Sequence, residues 1–255
     1  MAKRILDCAA SDFARMTKEE LLFAIGASEG RTLAAETIGT VTPLLGDVTN
    51  AELAAALGAD ILLLNLFDVD APQLQGLPPV GPGEVIREVK RLTGRPVGIN
   101  LEPVEAGAGE VDSLWAMTRG RMATLDNAKK AVQMGVDLIL LTGNPGTGVT
   151  NRAITDTLEL FHAHLGDRLI LCAGKMHASG VPGEGGENII TPADVEAFAR
   201  AGADVILLPA PGTVPGITTP FVRGLVEKAH LLGKLVMTAI GTSQEGADTD
   251  TIRRI

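Results

Sequence analysis

The chain has 255 residues, 45% apolar and only 3% aromatic, with no tyrosine and a formal charge of −9. That length suits one large α/β domain whose core is built from Ala, Val, Ile and Leu. The acidic balance, with no basic cluster interleaved with aromatics, argues against nucleic acid as a partner, and no apolar stretch approaches the ~20 residues that span a bilayer.

In chain order, no apolar run of signal-peptide length follows the first residues, and Cys8 and Cys172 lie far apart without zinc spacing. Both features point to a cytoplasmic setting. Residues 5–10 are apolar but short for a strand. Thr17, with Glu20 three residues on, reads as a capping box opening a helix that stops at Gly30. Residues 1–32 therefore read as an N-terminal helical segment, and residues 33–255 as a parallel β/α barrel.

Within the barrel one phrase occurs three times: Gly58-Ala59-Asp60, Gly135-Val136-Asp137 and Gly202-Ala203-Asp204, each running into a strand apolar on nearly every residue. Strands buried on both faces read this way, as in parallel sheets covered by helices. Strands are expected at 33–41, 60–65, 96–102, 137–142, 168–173, 204–209 and 235–241. Asn50, Thr124, Thr191 and Thr219 mark helix starts between them. Strict β-α alternation implies a parallel sheet. Seven strands against the eight of a closed barrel suggest a (β/α)8 barrel truncated at its C-terminus, with an open seam that favours a homo-oligomer. A Rossmann sheet is disfavoured, because no Gly-x-Gly-x-x-Gly follows a strand.

Chemistry in such folds collects at the C-terminal ends of the strands. Of the eight lysines only Lys175 stands just past a buried strand. It could form a Schiff base, clamp an anion, or be a plain loop lysine. His177, two residues on, is a candidate acid-base group or a bland loop histidine. Glu36, Asp68 and Glu102 lie in or after three strands and could hold Mg²⁺ or Mn²⁺, although Asp68 could equally cap a turn. Glu102 also serves as a candidate catalytic carboxylate. Asn65, Asn100 and Asn144 end or follow strands and could bind ligand.

Residues 143–150 have nearly the spacing of a phosphate-binding P-loop, with Val149 where the lysine belongs. Gly146 and Gly148 could still present backbone N–H groups to an anion. Gly241, Thr242 and Ser243 form a second candidate anion loop. Glu36, Asn65, Asp68, Asn100, Glu102, Asn144, Lys175 and His177 are expected to converge on one rim.

Five stretches carry a resemblance: Ile5-Leu6-Asp7-Cys8 with Ser11-Asp12-Phe13, Glu29-Gly30-Arg31-Thr32, Leu64-Asn65 with Asp68, residues 172–177, and Ile240-Gly241-Thr242-Ser243. Together they resemble a little-characterised bacterial TIM-barrel family, variously labelled haloacid-dehalogenase-like hydrolase or compared with phosphoenolpyruvate phosphonomutases. The resemblance implies the barrel and the cytosolic setting but no catalytic residue. Asp68-Val69-Asp70-Ala71-Pro72 lacks the Thr or Val that ends a dehalogenase Asp-x-Asp-x-Thr/Val motif, and no phosphonomutase acidic run aligns. The function expected is an enzyme acting on a small phosphorylated or carboxylated metabolite, of lyase, aldolase or isomerase type. The alternatives are a metal-assisted hydrolase and a non-catalytic ligand-binding or assembly protein.

Overall fold

The computed structural model describes residues 3–104, 117–240 and 249–250. Seven parallel strands form one sheet in chain order: β1 (Ala34–Ile38), β2 (Ile61–Asn65), β3 (Val97–Leu101), β4 (Leu138–Leu141), β5 (Ile170–Gly174), β6 (Val205–Pro209) and β7 (Leu235–Ala239). This is the TIM-barrel-like α/β arrangement that the alternation predicts. The central strands β2 to β6 are buried at every position, whereas β1 and β7, at the two ends of the strand order, are partly exposed. Residues 5–10 supply no strand: Ile5–Asp7 is a single 3-10 turn, anchored by the Ile5 N–H donating to Ser28 Oγ at 3.1 Å.

The chain divides into two compact units. The first comprises Met1–Leu101, Thr118–Leu140 and Leu165–Ile170. It holds β1, β2 and β3, and the helices α1 (Ala10–Phe13), α2 (Lys18–Gly26), α3 (Asn50–Ala56), α4 (Val85–Thr93) and α5 (Leu125–Met134). The second comprises Glu102–Met117, Leu141–His164 and Leu171–Ile255. It holds β6, β7 and the helices α7 (Pro192–Ala201) and α8 (Thr219–Leu231), with nearly all of α6 (Asn151–Leu165) and β5.

Threonine hydroxyls start most of the helices. Thr17, Thr49, Thr124, Thr191 and Thr218 each accept a backbone N–H of the first turn of α2, α3, α5, α7 and α8. Such caps satisfy one of the orphan N–H groups at a helix start. α3 and α8 begin at Asn50 and Thr219, where the sequence marks their starts, with Thr49 and Thr218 as the capping residues.

The repeated Gly-x-Asp phrase has a backbone job. Gly58, Gly135 and Gly202 take left-handed φ values of 106°, 93° and 106°, which stop the preceding helices at little steric cost. Each aspartate then grips the strand before it. Asp60 accepts the Leu33 N–H, Asp137 the Val97 N–H and Asp204 the Leu171 N–H, all at 2.8 Å. In return their own N–H groups donate to the carbonyls of Leu33, Val97 and Leu171 at 2.8–2.9 Å. Each phrase thus sets the register of its strand against the preceding one.

Two strand glycines admit close neighbours. A Cβ on Gly98 would lie 2.4 Å from Leu138 Cδ1, so the missing side chain makes room for a packed leucine. A Cβ on Gly174 would lie 2.0 Å from the Leu207 carbonyl oxygen, so here the strand backbones themselves need the space. β1 is shorter than the expected 33–41, because the Gly39 carbonyl accepts from Gln75 N–H at 2.8 Å and the chain turns there.

Candidate functional site

In the first unit the paired register Glu36↔Leu63, Ile38↔Asn65 and Leu63↔Gly98 puts Glu36, Asn65 and Asn100 on one face of the sheet. They touch. Asn65 Nδ2 donates to Glu36 Oε1 at 3.0 Å, and Asn100 Nδ2 donates to Glu36 Oε2 at 3.2 Å. Asn65 is held in that pose by its own amide oxygen, which accepts the Leu66 N–H at 2.8 Å. Leu66 itself sits at φ 57°, a position that a branched residue adopts only under constraint from its surroundings. Asn100 is 4% exposed, and its Oδ1 is buried with no hydrogen-bond partner. An unsatisfied buried acceptor of this kind calls for a donor.

Asp68 stands apart from that group. Its Oδ1 accepts the N–H groups of Asp70 at 2.8 Å and Ala71 at 3.1 Å, and Gly120 packs so closely that a Cβ there would fall 1.7 Å from it. This is the turn-capping role, and Asp70 pairs with Lys130. Among the described residues no three His, Cys, Asp or Glu side chains are grouped to hold a metal ion.

In the second unit Glu102, directly after β3, is 1% exposed and accepts a short hydrogen bond from Asn144 Nδ2. Asn144, 4% exposed, belongs to the glycine loop after β4. That loop is tied down. Thr147 Oγ1 donates to the Asn144 carbonyl at 2.7 Å, Gly148 N–H to the Ser179 carbonyl at 2.8 Å, and Ser179 Oγ to the Val149 carbonyl at 2.6 Å. Val149, where a P-loop has its lysine, is fully buried. Gly146 and Gly148 take left-handed φ values of 77° and 72°, and a Cβ added at either would meet no atom within 4 Å.

Lys175 follows β5 with no exposed surface, and its amine forms a short ion pair with Glu184. Burial lowers its pKa from the ordinary value, and the Glu184 carboxylate opposes that shift. Glu184 also accepts the Asn151 N–H, at 3.3 Å through Oε1 and 3.2 Å through Oε2, at the start of α6. His177 is half-buried. Its Nδ1 lies 3.4 Å from the Ala178 carbonyl, and burial lowers its pKa, with the nearby Lys175 charge acting in the same direction. Cys172 is buried within β5, as its place in an apolar strand implied.

Glu184 and Asn151 are participants that motif reading passes over. The available signal is slight: an acid set between Gly183 and Gly185-Gly186, nine residues after the lysine. Gly241, Thr242 and Ser243 lie outside the described residues. No described helix is long and apolar enough to cross a membrane.

Among solved structures, the chain is similar to 2,3-dimethylmalate lyase, a PEP mutase/isocitrate lyase superfamily member. The identity is 12%, over 94% of this chain and 86% of that one, with a TM-score of 0.52. It is also similar to phosphonopyruvate hydrolase, at 17% identity over 94% of this chain and 85% of that one, with a TM-score of 0.49. The first of these likenesses bears out the barrel-type fold and nothing finer. No curated protein matches the chain. A family model matches residues 6–255, and the chain therefore belongs to the family described as a domain of unknown function (DUF7916).

Proposed function

We propose that the protein is an enzyme acting on a small carboxylated or phosphorylated metabolite, by carbon–carbon lyase or isomerase chemistry at the C-terminal ends of its strands. The observation that carries this reading is Glu102. A carboxylate with 1% exposure, held by the Asn144 amide after a strand buried at every position, is costly to bury and adds nothing to the packing that an apolar residue would not. Buried acids at strand C-termini are where barrel enzymes keep proton-transfer groups. In this reading Glu102 exchanges a proton with the substrate carbon or hydroxyl while Asn144 fixes its orientation. Lys175 supplies positive charge for the substrate anion. His177, kept neutral near pH 7 by burial, is a second proton acceptor.

The test is turnover of a panel of 2-oxo acids, 2-hydroxy acids and phosphorylated sugars, followed by NMR. Loss of a detected activity in Glu102→Gln, with folding intact, is the expected result. Full activity in that variant removes Glu102 from the chemistry. Borohydride trapping with 2-oxo acids decides whether Lys175 forms a Schiff base or acts as a cation only.

A second reading, metal-assisted hydrolysis, is favoured by one observation: Asn100, whose Nδ2 donates to the Glu36 carboxylate, leaves its Oδ1 buried without a partner, and amide and carboxylate oxygens are ligands that suit Mg²⁺ or Mn²⁺. Mn²⁺ titration followed by water-proton relaxation tests it, and equal binding by wild type and Glu36→Gln removes it.

A further inference from the structure

We propose that the Lys175 amine and the first turn of α6 form a subsite for a carboxylate or phosphate group, and that Glu184 closes this subsite as a built-in substitute ligand. The inference rests on the reading of the protein as an enzyme of small anionic metabolites and says where the anion is held.

Three observations meet at Glu184. Its carboxylate takes the Lys175 ion pair and straddles the Asn151 N–H with both oxygens. A fully buried amine and the N-terminal N–H of a 15-residue helix are the donors that an anionic ligand would use. Second, α6 does not need Glu184 as its cap. Thr150 Oγ1 already accepts the Ala153 N–H at 2.9 Å, the same threonine device that starts the other helices. The acid reaches α6 from 33 residues away in sequence, whereas capping carboxylates ordinarily come from the helix's own first turn. Third, Asn151 is 6% exposed and leaves its Oδ1 buried without a donor. A protonated phosphate oxygen or a ligand hydroxyl would satisfy that acceptor.

The pair is also asymmetric. Glu184 keeps 23% of its side chain in solvent and Lys175 none, so Glu184 is the solvent-side member and the amine is reached by moving it. The segment that carries it is rich in glycines that tolerate other backbone conformations. Gly180, Gly183 and Gly186 sit at φ 92°, 86° and 59°, and no atom lies within 4 Å of a Cβ position on Gly183 or Gly185. A ligand anion entering the subsite takes the place of the Glu184 carboxylate at Lys175 Nζ and Asn151 N–H, and no covalent bond changes. The ligand's apparent affinity in the wild type is reduced by the fraction of molecules in which Glu184 has withdrawn.

The experiment compares wild type, Glu184→Ala, Glu184→Gln and Lys175→Met/Glu184→Ala, with inorganic phosphate and propionate as separate probes, by calorimetry and thermal unfolding. Glu184→Gln keeps the shape of the loop and removes only the charge, so the test stands if the alanine variant folds poorly. The expected result is that one or both anions bind the Glu184 variants at least about tenfold tighter than wild type and raise their unfolding temperature. The double variant should lose that gain. Phosphate alone, propionate alone, or both binding identifies the ligand group as phosphate, carboxylate or either. Equal affinity in wild type and both single variants, or an undiminished gain in the double variant, overturns the proposal. Binding is read without turnover, so an inactive protein that still binds anions in this pattern sinks the enzyme reading alone.

Discussion

Replacing Lys175 with methionine separates the charge of the side chain from its packing. Methionine keeps an unbranched apolar stem of similar length and removes the ammonium. In the native protein that ammonium has no exposed surface and pairs with Glu184. Removing one partner of a fully buried pair costs about 3–5 kcal/mol, because the other charge is stranded. Here the stranded group is better off than that. Glu184 retains 23% side-chain exposure and the Asn151 N–H at 3.2–3.3 Å. Both lower the loss, toward about 2 kcal/mol. In a chain of this size about 1 kcal/mol moves the unfolding midpoint by roughly 2–4 °C, so the expected drop is about 4–8 °C. The variant should remain folded. Adding Glu184→Gln to Lys175→Met removes the stranded charge, so the double variant should be more stable than the sum of the single losses by about 1 kcal/mol or more. Thermal and urea unfolding followed by circular dichroism gives all four corners of the cycle. A Lys175→Met protein as stable as wild type, or losses that simply add, would refute the pairing as an energetic element.

Asp137→Ala strips the acceptor from the fully buried Val97 N–H and the partner from Lys90 at 2.8 Å, and should cost about 2 kcal/mol in urea unfolding. Asp137→Asn, which keeps an acceptor oxygen, should cost less, and an alanine variant equal to wild type would discount the strand-gripping role. Gly98→Ala pushes against leucine side chains that can yield, at about 1–2 kcal/mol, whereas Gly174→Ala meets the Leu207 carbonyl at 2.0 Å and should cost about 3 kcal/mol. Equal stabilities of the two would contradict that ranking. For His177, burial keeps the folded-state pKa below the unfolded value of about 6.5, so between the two values the unfolded chain binds more protons. Stability is therefore full above that unfolded value and falls as pH drops below it. His177→Gln should flatten that decline, which lies above the range where lowered carboxylates such as Glu88 and Glu196 titrate, and an unchanged profile would contradict it.

The three Gly-x-Asp strands were legible because each is apolar on successive residues and flanked by a left-handed glycine stop, which are local signals. What their aspartates do was not legible, since the Leu33, Val97 and Leu171 N–H groups they hold lie 27 to 40 residues away. The place of Lys175 could be read from its position after a strand. Its partner could not, because Glu184 arrives by way of a glycine-rich loop whose path no periodicity records. Asp68 shows the reverse case. A strand-end carboxylate looks like a ligand in sequence, yet its oxygen is committed to the Asp70 and Ala71 N–H groups. Asn65 and Asn100 were singled out separately, and only the strand register discloses that both amides serve one carboxylate, Glu36.

The acids at the N-terminal ends of the strands are bound differently from those farther along or beyond them. At the N-terminal ends Asp60, Asp137 and Asp204 accept backbone N–H groups, which move only if the sheet itself comes apart. Glu36 in the middle of β1, Glu102 just past β3 and Glu184 well beyond β5 accept from side chains as well: two asparagine amides, a third amide and a lysine amine, with the Asn151 N–H also on Glu184. Side-chain partners can rotate from one rotamer well to another while the strands stay paired. Among the described residues, the acids that fix the strand register are thus distinct from the acids whose side-chain partners can rearrange with the sheet intact.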